Sequence, residues 1–279
     1  MCRSSFSAIS LRMSVVIFSF TLVSCMFSGN AGAGESNVYA AVSSFTWKEF
    51  DDNGARLVKE SGELYGIGFA YRSISSDKIT LQPGAEFFGG TVNYDGTAQN
   101  LFTGTTLPAK STVDYFGVKL KIEAGGLLPL SESSSLGPFF GLGIAAWSRT
   151  IKNATVSDGT TASGAEEKWR TVHLRLGLRG QIAESERTRF FAEAGVKLPV
   201  YTENVARVTV HPGNEPSYFS EAGVQLGSFR ASVFYDGMRF SRSSPVSSTE
   251  YYSGSYYHVN YVQPRSTSDI FGLKLGGVF

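Results

Sequence analysis

Apolar and polar side chains alternate with a period of two along most of the chain. In 170–182, Val172, Leu174, Leu176, Leu178 and Ile182 oppose Thr171, His173, Arg175, Arg179 and Gln181. In 188–198, Phe190, Ala192, Ala194, Val196 and Leu198 oppose Arg189, Glu193 and Lys197. The same rhythm runs through 64–72, 114–123, 229–236 and 271–279. Such alternation predicts strands with one apolar and one polar face. Ten are expected, at about 43–50, 63–73, 84–94, 112–124, 138–150, 169–183, 188–200, 217–227, 229–241 and 267–279. The phase of the first and third is not fixed by the pattern. No helix longer than a turn or two is expected.

The connections alternate as well. Segments 51–62, 95–111, 151–168, 201–216 and 242–266 are long, whereas 74–83, 184–187 and Gly227-Ser228 are short. Segment 125–137 is longer but carries Pro129 and the turn-forming run Ser131–Ser135. A sandwich that packs two apolar faces together has no reason to alternate loop length. A membrane barrel, with long loops at one rim and tight turns at the other, does. Glycines mixed with Arg, Lys and Glu on the polar faces suit a narrow interior. Aromatics at strand ends (Tyr65, Tyr71, Tyr94, Tyr115, Trp147, Trp169, Tyr201, Tyr218 and Tyr235) are expected to form interfacial girdles. The fold class predicted is all-β: a single closed antiparallel transmembrane up-and-down barrel of ten strands. Eight or twelve strands would follow from a different division of 43–62 or 242–266, and a soluble periplasmic β-protein is the alternative.

The N-terminus sets the compartment. Arg3 and Arg12 precede the uncharged apolar stretch Met13–Phe27, and Ala31-Gly32-Ala33 offers small residues for cleavage. Residues 1–33 therefore read as a secretory signal and 34–279 as one barrel domain. Leu22-Val23-Ser24-Cys25 also fits a lipoprotein-type site, so lipidation at Cys25 competes with cleavage near Ala33. Composition narrows the function. With 25 basic against 24 acidic residues there is no basic footprint for nucleic acid. Cys2 and Cys25 are the only cysteines, too few for a disulfide framework or a thiolate metal site. No cofactor or metal is expected.

The segment Phe271-Gly272-Leu273-Lys274-Leu275-Gly276-Gly277-Val278-Phe279 resembles the last strand of bacterial outer-membrane β-barrel proteins. There, alternating apolar residues before a final aromatic form the assembly signal, here Phe271, Leu273, Leu275 and Phe279. The resemblance implies a Gram-negative outer membrane as location. It also implies outer-membrane lipid, lipopolysaccharide, periplasmic chaperones and the barrel-assembly machinery as partners.

Strand phase places Arg72, Lys119, Lys121, Glu123, His173, Arg175, Arg179, Arg189, Glu193, Lys197, Glu221, Arg230, Asp236 and Lys274 on the lumen face. Basic residues exceed acidic ones in that set. Two readings follow: a core plugged by ion pairs, since isolated buried charge is costly, or a narrow, porin-like, anion-preferring passage. The barrel proteases of the omptin type also have ten strands, with acidic residues and an Asp–His couple near the outer rim. His211 and His258 are high enough, but no aspartate lies two residues from His211, and Asp51-Asp52 is the only adjacent aspartate pair. The omptin pattern is not met. A barrel lipid hydrolase would need a Ser–His pair, which Ser220 or Ser241 could supply only by chance. An enzyme is thus not the expected class. Gly141-Leu142-Gly143-Ile144-Ala145-Ala146 has the letters of a dinucleotide motif, but Trp147-Ser148-Arg149-Thr150 continues a strand where that motif needs a helix. The remaining candidates are Tyr251, Tyr252, Tyr256, Tyr257, His258 and Tyr261 in the fifth long loop. A Tyr/Ser/Gly surface suits recognition, although the same tyrosines could simply extend the ninth and tenth strands as a hairpin. The function expected is surface binding or envelope integrity around a mostly filled lumen.

Overall fold

A computed structural model describes residues 34–74, 79–99, 105–156, 159–252 and 254–279. The expected signal segment 1–33, with Cys25 and Ala33, lies outside the described residues. Ten long strands make the ring: β1 Gly34–Phe50, β2 Arg56–Ile74, β3 Ile79–Gln99, β4 Thr106–Gly126, β5 Ser134–Ile151, β6 Ala165–Ala183, β7 Thr188–Val205, β8 Ser217–Leu226, β9 Phe229–Ser241 and β10 Arg265–Val278. Each pairs antiparallel with the next. β10 then returns to β1, from Asn37↔Val278 to Phe50↔Arg265, so the sheet closes and leaves no open edge. Reciprocal backbone bonds between Ser36 and Phe279, at 2.9 and 3.0 Å, fasten the lower end of this seam. The fold is a closed antiparallel ten-stranded β-barrel. No helix occurs among the described residues.

Side-chain distribution is inverted relative to a soluble protein. Ile67, Phe87, Phe116, Phe140, Leu178 and Phe271 point outward and are each more than half exposed. No second layer covers them among the described residues. The buried apolar cluster, including Phe45, Trp47, Leu64, Val92, Tyr115, Trp169, Phe240 and Ile270, lies inside the ring. An uncovered apolar belt on a closed sheet is the arrangement that lipid, and not water, stabilises.

Strands reach further than the alternation indicated. β1 begins at Gly34, not near 43, and the expected loops 51–62 and 95–111 are mostly ladder. Only a tight turn joins β1 to β2, where the Asp51 carboxylate accepts from the backbone N–H of Asn53 at 2.9 Å and of Ala55 at 2.7 Å. Once a strand rises above the lipid both of its faces can be polar, and the hydropathy period fades although backbone pairing continues. At the opposite rim, Gly227 takes φ +60° in the two-residue turn to β9, a value hairpin turns need and L side chains avoid. The aromatic girdle also requires correction. Tyr65, Tyr201 and Tyr218 do face outward, but Tyr94, Tyr115 and Trp169 are buried inside, where Trp147 packs against them.

Candidate functional site

The interior divides into three levels. Uppermost is a cap, at a height where the outward residues Lys48, Lys59, Lys168 and Arg170 are polar and the barrel has left the lipid belt. Trp147 and Trp169 stack at 5.6 Å, Trp47 meets Trp169 edge-on at 5.1 Å, and Phe240 lies 5.3 Å from Trp169. Arg149 sits among three carboxylates. Its Nε donates to Glu60 at 3.0 Å, its Nη1 lies 2.9 Å from Glu167 and 3.2 Å from Glu49, and its Nη2 also bonds Glu60. Other donors take up the remaining oxygens: Tyr115 to Glu60, Trp47 Nε1 to Glu49, and Trp169 Nε1 and Asn204 Nδ2 to Glu167. Trp47, Trp169, Glu60, Arg149 and Phe240 are essentially sealed from solvent. At the centre of the cap one guanidinium faces three carboxylates.

Beneath it an open space of about 170 Å³ runs down to the lower mouth. Phe45, Phe88, Tyr115, Trp147, Phe234 and Met238 form its upper walls, and charged residues its lower ones. Asp236 accepts from Lys119 at 2.9 Å through one oxygen and from Lys197 through the other. Glu86 accepts from the Tyr39 hydroxyl at 2.9 Å, and Glu221 from Lys274 at 2.7 Å. His173 lines this wall with its Nδ1 buried and unpartnered. A Cβ on Gly143 would overlap the His173 ring, which explains the glycines of the false dinucleotide motif as space for lumen side chains. Deeper, Glu123 bridges Arg175 at 2.7 Å and Arg179 at 2.6 Å, and Arg179 also holds Glu193 at 2.7 Å. Lys121 stands 3.5 Å from Glu123. Arg175 and Arg179 lie over the Phe219 and Phe139 rings, adding cation–π contact to the ion pairs.

At the lower mouth, Glu35 stands 3.1 Å from Arg189 and 3.9 Å from Arg230. Arg72 donates to the Gln82 side chain at 3.2 Å and adds a third guanidinium to this end. Of the expected lumen set, Lys119, Lys121, Glu123, Arg175, Arg179, Glu193, Lys197, Glu221, Asp236 and Lys274 join ion pairs, and Arg72, Arg189 and Arg230 gather at the lower mouth. Sequence reading missed Arg149 and the acids Glu35, Glu49, Glu60, Glu86 and Glu167. With these included, interior charge is close to balance, so the expected basic bias does not describe the whole lumen. Basic excess belongs to the lower mouth, acidic excess to the cap. The signal for these residues was available in extended alternation: Arg149 shares its phase with Trp147, and Glu60 with Leu64.

The fifth long connection forms its own two-stranded sheet, Val246–Tyr252 with Ser255–Tyr261, separate from β9 and β10. Tyr251 and Tyr256 are 65% and 76% exposed, with ring centroids 5.1 Å apart, and Tyr257 and His258 are exposed beside them. Tyr261 donates to Glu250 at 3.0 Å; partial burial and then this bond push its phenol up. His258 Nδ1 lies 3.3 Å from the Thr249 hydroxyl, and His211 Nδ1 3.1 Å from the Thr202 carbonyl. Asp51 caps its turn, and Asp52 pairs with Arg242 at 3.2 Å. Histidine and aspartate are not brought together at the rim among these residues.

No protein-family model and no curated protein matches the chain. Solved structures do share its fold. The outer membrane protease OmpT from Escherichia coli is 11% identical, with a TM-score of 0.53 over 88% of this chain and 95% of that one. An outer membrane channel from Pseudomonas putida F1 is 12% identical, with a TM-score of 0.39 over 90% and 97%. The translocator domain of the autotransporter NalP from Neisseria meningitidis is 13% identical, with a TM-score of 0.37 over 98% and 99%. The likeness to OmpT concerns architecture alone: the chain shares the fold of a bacterial outer-membrane β-barrel.

Proposed function

We propose that the protein is a closed surface-display barrel of the outer membrane, exported by residues 1–33, whose Tyr-rich hairpin binds a neutral glycan outside the cell. The observation that carries this is the hairpin: three exposed tyrosines on a small sheet of its own, beyond a sealed cap. Segment 243–262 has Glu250 as its only charged residue and is otherwise rich in Ser and Tyr, with Asn260 among them. Flat aromatic faces beside hydroxyl and amide groups suit a polyhydroxylated, uncharged ligand, and tyrosine loses little conformational freedom on binding. Lipopolysaccharide around the belt and the barrel-assembly machinery during biogenesis are the partners this location requires.

Two measurements test the reading. Refolded protein in planar bilayers is expected to give no discrete conductance steps at any applied voltage, because the cap leaves no continuous path. Cells displaying the barrel are expected to retain fluorescent neutral glycans from a panel, and the double variant Tyr251→Ser/Tyr256→Ser to lose at least about tenfold of that retention. Regular single-channel steps, or undiminished glycan retention by the double variant, would remove the proposal.

A further inference from the structure

The cavity below the cap has apolar walls above, charged walls below and His173 between them, its Nδ1 buried and unpartnered behind the wall. We propose that it is a binding site for a small amphipathic anion, a single ring or short hydrocarbon body bearing one carboxylate, admitted through the lower mouth. Size is the first argument. The open space from the cap to the lower mouth totals about 170 Å³, comparable with the roughly 150 Å³ that holds a benzene, so one small ring with a short polar tail is the largest body it suits. Its upper walls are aromatic or aliphatic: Phe45, Phe88, Phe234, Met238 and Ile270 among them.

Polarity is the second argument. His173 is 6% exposed, yet its Nδ1 has no hydrogen-bond partner. A buried polar atom left unpaired is costly; His173 lines the cavity with its Nδ1 tucked behind the wall, so a turn of the ring that presents Nδ1 to the cavity would gain it a partner there. A carboxylate would accept from the Nδ1–H tautomer. Lys119 and Lys197 supply positive charge on the same wall, each already sharing Asp236.

Charge along the route is the third. Carboxylates that face the cavity are held by cations: Asp236 by Lys119 and Lys197, Glu86 by Lys119 at 3.6 Å, Glu221 by Lys274, and Glu193 by Arg179. They therefore oppose an arriving anion weakly. At the mouth, Arg72, Arg189 and Arg230 face Glu35, and the Arg230 Nε is buried without a partner. Like-signed groups lining an opening raise the local concentration of oppositely charged solute and repel the rest. A cation meets that barrier, and a neutral molecule finds the walls but not the head-group contacts. The route from below depends on the cap being closed, as the surface-display reading also requires; binding itself does not.

The three tryptophans all belong to the cap, and Trp147 lines the cavity, so intrinsic fluorescence reports its occupancy. Refolded barrel is titrated separately with benzoate, benzyl alcohol and benzylammonium. Benzoate is expected to give a saturable change, benzyl alcohol to bind at least about tenfold more weakly, and benzylammonium to give no saturable change. His173→Phe, which fills the space and removes the donor, is expected to abolish the benzoate signal while keeping the folded barrel's faster migration on unboiled gels. Should that variant misfold, His173→Ala is the substitute, with benzoate affinity expected to fall about tenfold. Equal binding of all three probes, absence of saturation with benzoate, or benzoate binding unchanged in the histidine variant that folds would each overturn the proposal. Glycan retention and bilayer conductance do not depend on this result, so failure here is separable from failure of the surface-display reading.

Discussion

Arg149→Met is expected to destabilise the folded barrel by about 3–5 kcal/mol, because breaking a buried ionic group by removing one partner leaves uncompensated charge. Among the described residues the guanidinium is the only cation that pairs with Glu49, Glu60 and Glu167, and it is 2% exposed. Methionine would fill much of the volume while leaving three carboxylates facing one another. The hydrogen bonds from Trp47, Tyr115 and Trp169 remain, but neutral donors do not offset repulsion among like charges. Urea unfolding in detergent, followed by gel migration, measures the loss. Conductance supplies a second readout: a disordered cap is expected to let ion steps appear where the parent shows none. Adding Glu60→Gln to Arg149→Met removes one of the stranded charges and is expected to recover part of the loss. A single variant as stable as the parent, with the lumen still sealed, would mean that aromatic packing alone closes the cap.

Leu176→Arg tests the other half of the architecture. Leu176 sits midway along the outward face of β6, between Leu174 and Leu178, and is 44% exposed. In water an exposed Leu→Arg change would matter little. At the middle of a bilayer it is expected to cost about 2–4 kcal/mol, with a charged residue near the interface costing only about 0–1. Ser148→Arg, outward on β5 at the height of the cap, is the matching control and is expected to be nearly neutral. Unfolding from lipid vesicles compares the two. Equal costs at both positions would be inconsistent with a lipid belt at Leu176.

The strands and the lumen set were legible because a membrane barrel writes them twice. Each strand shows its own period of two, and each pair of neighbours must agree in phase for its residues to meet across the ladder. His173 and Lys197 could be placed inside from β6 and β7 alone. Glu86 could not, because β3 is interrupted by Pro83 and by Gly84, Gly89 and Gly90, and its phase emerges only from pairing with β4. Glu49 and Glu60 were hidden differently. They lie where the strands have left the lipid, and there hydropathy no longer separates inside from outside. The same blindness made aromatics at strand ends read as a girdle, when Trp147 and Trp169 turn inward and stack in the cap.

From the residues alone came the closed ten-stranded sheet, the face each strand gives to lipid, and the identity of most lumen charges. All of these follow from a local alternation that lipid on one side and a narrow interior on the other impose on every strand. Tertiary structure decided which charges face which. Arg149 and Glu60 are 89 residues apart, as are other partners by comparable spans, and they meet only when the ring closes. Whether the interior is open, sealed or hollow depends on those encounters across the barrel, and no periodicity along a single strand encodes them.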